Sequence, residues 1–402
     1  MIANQYKEML QAKSVIRELF QYATDRGKEI GYENVYDYSL GNPSVPVPQK
    51  FTDVMMELLA TQEPVALHGY SPTLGIPQVR EKIAASLAKR FGLPYTMDEI
   101  FMTSGAAGAI AHALRAVSVA GDEILTFAPF FPEYGPYVNL TGAVLRVVPP
   151  RVEDFQIHFE ALEEMLNEKT AAVLINTPNN PSGVVYSEET IQRLAALLRA
   201  RSAEYGHDIY LISDEPYREI VFDGAKAPCV SRYYENTIVC YSFSKSLSLP
   251  GERIGYVAVN PACKDAKTIV QMCGQISRGI GHNCPSSIIQ LAVAEVLEET
   301  ADLSVYEKNR NVLYEELLRL GFSCVKPDGT FYIFPKALEE DAKAFSEKAK
   351  KYDLMLVPGD SFGCAGYFRM SYCIAPEKVE RSLEALRRFV EECYPNRNME
   401  QR

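Results

Sequence analysis

The middle of the chain alternates short apolar segments rich in β-branched residues with segments of helical periodicity. Strand-like segments occur at 98–104, 122–129, 143–150, 171–178, 209–216, 237–244 and 254–259, and a long helical pattern lies at 187–204. Near-continuous apolar strands that are separated by helices pack as a mainly parallel sheet with helices on both faces. The chain is therefore predicted to form an α/β fold in which a ligand binds at the carboxyl ends of the strands.

The last hundred residues show a different pattern. Helices are predicted at 302–320, 342–352 and 376–393, with short strands near 322–326, 330–335, 354–357 and 367–373. This mixture predicts a second, smaller α+β domain. The first forty residues contain a helix that ends near Gly31, followed by an extended segment that could pack with either domain.

The composition argues against several classes of protein. The 41 basic and 52 acidic residues give a net charge of −11, which disfavours nucleic-acid binding because phosphate contacts need clustered cations. We expect no signal peptide and no membrane span, since charges interrupt the amino terminus and every apolar segment. Nine scattered cysteines without a C-x-x-C pair predict reduced thiols and a cytoplasmic protein, and no motif of metal-ligand spacing suggests a metal site.

Reactive or polar residues follow several of the predicted strands. Gly105-Ala106-Ala107 opens a helix and could bind an anion or form a plain tight turn. Asp214 could be a helix N-cap or a buried carboxylate that needs a cation. Lys245 could solubilise a strand end or, if buried, act as a nucleophile towards carbonyls. Together with the turn at 179–183 and Tyr217, this set suits a phosphorylated aromatic aldehyde with a ring nitrogen and a ring hydroxyl, which is pyridoxal phosphate.

At these positions the chain resembles the class I aminotransferases, which are pyridoxal-phosphate enzymes of fold type I. The motifs are S-x-S-K with an arginine eight residues after the lysine, and N-N-P-x-G followed by D-E-P-Y. The resemblance covers nearly the whole chain, in order and with matching spacing. It implies a mainly parallel, seven-stranded type of central sheet, a large cofactor-binding domain at 46–295, and a small domain formed by 1–45 and 296–402.

The resemblance also implies roles around the cofactor ring. Lys245 matches the lysine that forms a Schiff base with the cofactor and then moves the proton during catalysis. Asp214 matches the partner of the pyridine nitrogen, and Tyr217 and Asn180 match the residues on the ring hydroxyl. In the segment APFFPEY, Phe131 rather than Phe130 matches the aromatic residue that stacks on the ring.

The cofactor phosphate has its own set of matching residues. They are Ser242, Arg253 and the backbone at Gly105, Ala106 and Ala107. Tyr70 matches a tyrosine that reaches the phosphate of the cofactor in the neighbouring subunit, so the resemblance implies a homodimer with shared active sites. Tyr70 could instead be a core aromatic residue.

Four residues match positions that bind the substrate in this family. Arg369 matches the arginine that holds the α-carboxylate, and the backbone of Gly41 and the side chain of Asn180 meet the same group. Arg278 lies at the offset of a second arginine, which binds the side-chain carboxylate across the subunit interface in dicarboxylate-specific members. Here Gly281-His282 and Cys284 depart from the usual residues nearby, and Arg278 could equally be a surface arginine.

The implied activity is transfer of an amino group between an L-amino acid and a 2-oxo acid by a ping-pong mechanism. The amino acid is expected to be aspartate, or the specificity to be broad. A pyridoxal-phosphate-dependent β-lyase, decarboxylase or racemase remains the alternative, because these enzymes share the cofactor residues. A ligand-sensing regulator is disfavoured, because such proteins carry a DNA-binding domain and the family pattern here begins by about residue 35.

Overall fold

A seven-stranded sheet forms the centre of the molecule. The computed structural model describes residues 4–11 and 14–395. The strands, in chain order, are β1 (Tyr36–Asp37), β2 (Ile100–Thr103), β3 (Glu123–Phe127), β4 (Val144–Val148), β5 (Thr170–Asn176), β6 (Tyr210–Asp214), β7 (Thr237–Ser242), β8 (Gly255–Val259), β9 (Tyr332–Ile333), β10 (Leu354–Met355), β11 (Val357–Pro358) and β12 (Phe368–Ser371). The central sheet has the order β2-β8-β7-β6-β5-β3-β4, and within it only β8 runs antiparallel to its neighbours.

Helices connect and cover these strands. They are α1 (Asn4–Gln11), α2 (Val15–Ile30), α3 (Gln49–Thr61), α4 (Pro64–His68), α5 (Pro77–Phe91), α6 (Gly105–Val117), α7 (Tyr134–Asn139), α8 (Phe159–Met165), α9 (Glu188–Tyr205), α10 (Phe243–Ser246), α11 (Ala266–Ile280), α12 (Ser287–Ala294), α13 (Ser304–Arg319), α14 (Ala342–Ala349) and α15 (Pro376–Cys393). Within the described part of the chain, no helix is long and apolar enough to cross a membrane.

Alternate residues of each central strand bury their side chains in different cores. In β5, Val173 and Ile175 pack in a core shared with α8 and α9. Ala172 and Leu174 pack in a core on the opposite face, which is shared with α6 and α11. Because side chains alternate along a strand, this arrangement requires apolar residues at every position. The predicted two-faced α/β sheet is thus confirmed, and each of its seven strands coincides with one of the predicted segments, although β5 begins one residue before its segment.

The carboxyl-terminal part forms a separate core with two small sheets. In one, β11 and β9 flank β12, and in the other β10 pairs in parallel with β1. The core of this part includes Tyr38 and Val45 from the amino-terminal region. These contacts favour grouping 1–45 with 296–402, and the boundaries stay a prediction. The strand predicted near 322–326 is wrong, because one backbone bond, from Lys336 N–H to the Ser323 carbonyl, is too few to form a ladder.

The strand register brings the polar strand ends together. Gly255, at the start of β8, pairs with Thr103 at the end of β2 and with Ser242 at the end of β7. Asp214, at the end of β6, pairs with Asn176 at the end of the neighbouring strand β5. Because β8 is antiparallel, its first residues lie at the edge where the parallel strands end.

Candidate active site

A cavity of about 530 Å³ opens at this edge of the sheet. Its volume falls within the range of roughly 300–1,000 Å³ that is usual for small-molecule sites. Most of the predicted site residues line it, namely Gly41, Ala106, Ala107, Phe131, Asn180, Asp214, Tyr217, Ser242, Lys245, Arg253 and Arg369. The fold therefore gathers residues that lie more than 300 positions apart in the sequence.

Lys245 lies on the short helix α10, directly after β7. Its Nζ donates a hydrogen bond of 2.6 Å to the carbonyl oxygen of Gly41. Burial lowers the pKa of Lys245 to about 8, and the positive charges of Arg253 and Arg369 act in the same direction. A fraction of the amine is therefore neutral near pH 8, which is the form that attacks carbonyls.

Gly41 occupies a position that has no room for a side chain. A Cβ built there would lie 1.9 Å from the hydroxyl oxygen of Tyr332 and 3.1 Å from the ring of Phe331. Both aromatic residues are buried. Glycine thus allows the backbone of this segment to come close enough to accept a hydrogen bond from Lys245.

Asp214 ends β6 and is buried. Its Oδ2 accepts a hydrogen bond of 2.6 Å from the Tyr134 hydroxyl, whereas its Oδ1 has no partner. Burial raises the pKa of Asp214 to about 7, although the Tyr134 hydrogen bond acts to lower it. An unpartnered buried carboxylate oxygen is costly, so this atom requires a proton or a donor from a ligand.

Asn180 and Tyr217 lie beside this carboxylate. Asn176 positions Asn180, because its Oδ1 accepts the Asn180 N–H at 2.7 Å and its amide donates to the Asp214 carbonyl at 2.8 Å. The hydroxyls of Tyr217 and Tyr332 are 3.2 Å apart. Burial raises the pKa of Tyr217 well above its ordinary value, so the phenol keeps its proton.

A candidate anion site lies at the end of the cavity formed by β2, β7 and β8. The Ser242 and Ser244 hydroxyls are 2.7 Å apart, and Arg253 donates to the Ser104 carbonyl at 3.2 Å. Gly105 begins α6 at φ +77°, and a Cβ there would lie 2.7 Å from Arg253 Nη2. The free N–H groups of the first helical turn therefore lie close to a guanidinium and two hydroxyls, as an anion site requires.

Arg369 is a buried cation without an acidic hydrogen-bond partner among the described residues. It donates to Asn180 Oδ1 at 3.0 Å and to the Ser39 carbonyl, and its Nε has no partner. Its guanidinium lies 4.6 Å from the ring centroid of Tyr332. Burial lowers the pKa of Arg369. A buried guanidinium with neutral partners is suited to bind an incoming carboxylate.

The two adjacent phenylalanines have different surroundings. Phe131 lines the cavity, and its ring contacts Tyr134 edge to face at 5.7 Å. The Phe130 N–H donates to the Phe362 carbonyl, and its ring lies near Gly363, outside the lining of the cavity. This difference favours the choice of Phe131 over Phe130.

Tyr70 and Arg278 lie outside the cavity of their own chain. Tyr70 is fully exposed, and Arg278 is exposed in the last turn of α11. The segments that carry them are nevertheless in contact, because the Ser71 hydroxyl lies 2.9 Å from the Cys284 sulfur. Tyr70 is thus not a core aromatic residue, and a role for either residue requires a second copy of the chain.

Sequence reasoning missed three residues that shape the site. They are Tyr134, Asn176 and Tyr332, which contact Asp214, Asn180 and Tyr217 respectively. Asn176 ends an apolar strand, and this position could have identified it. Nothing in the sequence distinguishes the two tyrosines among the 24 in the chain.

Among residues 4–11 and 14–395, no group of three or more His, Cys, Asp or Glu side chains is placed so that it could hold a metal ion. The cavity thus offers a lysine, an unpartnered carboxylate oxygen, an anion site and a buried arginine. These groups are those of an enzyme that handles a phosphorylated carbonyl compound and a carboxylate substrate.

Comparisons with known proteins agree with this class of enzyme. A family model described as aminotransferase class I and II matches residues 33–386. Aromatic-amino-acid aminotransferase 2 of Thermococcus litoralis is 31% identical, covering 94% of this chain and 96% of that protein. An aspartate aminotransferase of Thermotoga maritima is 30% identical over 89% and 92% of the two chains.

Solved structures give the same result. The crystal structure of an amino transferase from Eubacterium rectale has a TM-score of 0.94 and 47% identity, covering 98% of this chain and 99% of that one. An aspartate aminotransferase from Thermus thermophilus with maleate has a TM-score of 0.86 and 26% identity over 97% and 99%. The chain belongs to the aminotransferase class I and II family, it has fold type I, and it is a transaminase. Members of this family use pyridoxal phosphate.

Proposed function

We propose that the cavity binds pyridoxal phosphate and exchanges an amino group between an L-amino acid and a 2-oxo acid. The observation that carries this proposal is the pairing of Asp214, whose buried Oδ1 has no partner, with the half-buried Lys245 in one cavity. A protonated ring nitrogen would satisfy the carboxylate, and an aldehyde would react with the amine. The residues present therefore fit the group.

Each part of the cofactor has residues that suit it. Asp214 would bind the ring nitrogen, Asn180 and Tyr217 the ring hydroxyl, and Phe131 one face of the ring. The phosphate would meet Ser242, Arg253 and the backbone N–H groups at 105–107. When bound, pyridoxal phosphate supplies an electron sink for the charge that develops at the substrate Cα.

The chain supplies orientation and proton transfer. Arg369 binds the substrate α-carboxylate through two parallel hydrogen bonds, and Gly41 and Asn180 fix its position. The Lys245 amine would take the proton from the substrate Cα and deliver it to the cofactor carbon that receives the amino group, since its lowered pKa leaves it partly neutral near pH 8. Asp214 would hold a proton, and so a positive charge, on the ring nitrogen.

We further propose that aspartate is a substrate, or that specificity is broad. The names of relatives support this range, because they include aspartate and aromatic-amino-acid aminotransferases. We also propose a cytoplasmic location, which is supported by nine cysteines that are all free thiols.

A homodimer with shared sites is part of the proposal. Tyr70 would reach the phosphate, and Arg278 the substrate side chain, in the partner's cavity. Mixing Lys245→Ala with Tyr70→Ala tests this. Random pairing of the two inactive variants would restore intact sites to about a quarter of the total. If the mixture stays as inactive as either variant alone although the subunits exchange, the sites are not shared.

The activity is tested by mixing the holoenzyme with single amino acids and following its absorbance. We expect at least one amino acid to convert the cofactor to its amine form and release a 2-oxo acid. Lys245→Ala should abolish this, whereas Lys308→Ala, at an exposed site, should not. Formation of pyruvate and ammonia from a β-substituted amino acid, without conversion of the cofactor, would instead identify a lyase.

A further inference from the structure

Tyr332 is buried in the wall of the cavity and contacts three groups of the site. Its hydroxyl lies 3.2 Å from the Tyr217 hydroxyl, and the Arg369 guanidinium lies 4.6 Å from the centroid of its ring. The same hydroxyl occupies the space that a Cβ at Gly41 would need. One side chain therefore joins a residue assigned to the ring hydroxyl of the cofactor with two residues assigned to the α-carboxylate of the substrate.

The backbone holds Tyr332 in this place through an uncommon conformation. Thr330 has a φ of +63°, which is rare for a β-branched residue. Its Oγ1 accepts a hydrogen bond from the Tyr332 N–H at 3.0 Å, and its own N–H donates to the Ile220 carbonyl at 2.9 Å. Tyr332 also pairs with Ser371 of β12, the strand that carries Arg369. The surrounding structure thus maintains a costly conformation at Thr330, and this conformation fixes Tyr332 beside the site.

The two hydroxyls have one arrangement that suits the cofactor. In the proposed function Tyr217 donates its single proton to the oxygen of the ring hydroxyl, so its own oxygen can accept a hydrogen bond from Tyr332. Burial raises the pKa of Tyr332, so this phenol keeps its proton, and the charge of Arg369 acts to lower the same pKa. Burial raises the pKa of Tyr217 further, to well above its ordinary value. Tyr332 is therefore the more acidic phenol and the better donor of the two.

We propose, on the basis of the proposed function, that Tyr332 is a positioning residue whose hydroxyl donates to Tyr217 and makes Tyr217 a stronger donor to the ring hydroxyl of pyridoxal phosphate. Hydrogen bonds in a chain polarise one another, so a donor that itself accepts a hydrogen bond is strengthened. A hydrogen bond to the ionised form of a group favours that form. Tyr332 thus stabilises the ionised ring hydroxyl through Tyr217.

The test is a pH titration of the absorbance of the bound cofactor in the parent, Tyr217→Phe and Tyr332→Phe. When the ionised ring hydroxyl is less stable, the neighbouring proton on the linkage between Lys245 and the cofactor is held more tightly, so the midpoint moves to higher pH. Loss of a hydrogen bond to a charged group implies a rise of about one to two pH units in Tyr217→Phe. Tyr332→Phe should raise the midpoint by about 0.3 pH unit, since cooperative strengthening is roughly 10–30% of a bond.

Tyr372→Phe is the matched control. Tyr372 is also buried, and its hydroxyl donates to the Thr330 carbonyl at 3.2 Å, but it lies outside the lining of the cavity. This variant should keep the midpoint of the parent. Tyr332→Phe should add no further rise when Tyr217 is already phenylalanine, because its effect passes through the Tyr217 hydroxyl.

Binding of propionate to the holoenzyme distinguishes support of Tyr217 from a direct contact with the substrate. It is measured at a pH below the absorbance midpoints of the parent and Tyr332→Phe. The variant should bind propionate as the parent does, because phenylalanine keeps an aromatic ring next to the Arg369 guanidinium.

Three results would overturn the inference. The first is an unchanged midpoint in Tyr332→Phe together with the expected rise in Tyr217→Phe. The second is an equal rise from Tyr332→Phe with and without the Tyr217 hydroxyl. The third is a selective loss of propionate binding, which would assign the Tyr332 hydroxyl to the substrate carboxylate. Neither measurement needs amino transfer, so a lack of transamination would refute the proposed activity and leave this test in force. A parent protein that binds no pyridoxal phosphate would refute both.

Discussion

Replacement of Asp214 by asparagine should remove a large pH dependence from the stability of the cofactor-free protein. The carboxyl is buried, and its pKa rises from an ordinary 3.8 to about 7. Because the folded-state value is the higher one, its stabilisation is complete below about pH 4 and is lost as the pH rises through 7. At about 1.4 kcal/mol per pH unit the full effect is roughly 4 kcal/mol.

About 2.5 kcal/mol of this effect lies between pH 5 and pH 8. An unfolding entropy of about 2.1 cal/mol/K per residue gives roughly 0.8 kcal/mol/K for this chain, so the group should lower Tm by about 3 °C over that range. Asparagine has a similar shape and can still accept the Tyr134 hydrogen bond, but it does not titrate.

The assay is thermal unfolding of the cofactor-free protein at pH 5 and pH 8, at one protein concentration. The parent protein should lose about 3 °C more than Asp214→Asn, and Asp53→Asn, at an exposed site of α3, should behave like the parent. Saturating pyridoxal phosphate should reduce the difference, because a ring cation stabilises the ionised carboxylate. Equal shifts in the parent and Asp214→Asn would refute the argument that burial controls this group.

Three further predictions concern neighbouring residues. The rate at which cofactor-free protein takes up pyridoxal phosphate should rise with pH around an apparent pKa of about 8, since only the neutral Lys245 amine attacks the aldehyde; a midpoint above 10 would contradict this. Gly41→Ala should lower the free energy of unfolding by about 1–3 kcal/mol, because its Cβ would lie 1.9 Å from the Tyr332 hydroxyl. Denaturant titration measures this loss, and Gly279→Ala, where a Cβ would meet open space, should not show it. Tyr134→Phe should move the pH at which the cofactor-free protein loses stability upwards, since the phenol lowers the pKa of the neighbouring carboxyl; an unchanged midpoint in thermal unfolding would count against that hydrogen bond.

The strands and the residues that follow them could be predicted because burial on both faces leaves a local signal. The apolar segments predicted the seven central strands, and strand polarity placed Asp214 and Lys245 at one edge. The short strands of the carboxyl-terminal part were less predictable, since β9, β10 and β11 have two residues each and owe their form to their neighbours. The strand predicted near 322–326 is wrong because its apolar residues do not find a neighbouring strand with which to form a ladder.

Supporting contacts could not be predicted because they join distant parts of the chain. The Tyr134 hydroxyl and the Asp214 carboxylate are 80 residues apart, and no local pattern marks a tyrosine as a carboxylate partner. Tyr332 is likewise one of many buried aromatic residues until its hydroxyl is found beside Tyr217.

The sequence by itself determined the class of fold, the family and most residues of the site, because hydrophobic periodicity and strand-end chemistry are local properties. Only the tertiary structure decided which groups meet. It brought Lys245 to the Gly41 carbonyl across 204 residues and Arg369 to Asn180 across 189. It also left one oxygen of Asp214 without a partner. Burial and neighbouring charge set the pKa values of the lysine and the aspartate, and both arise from packing.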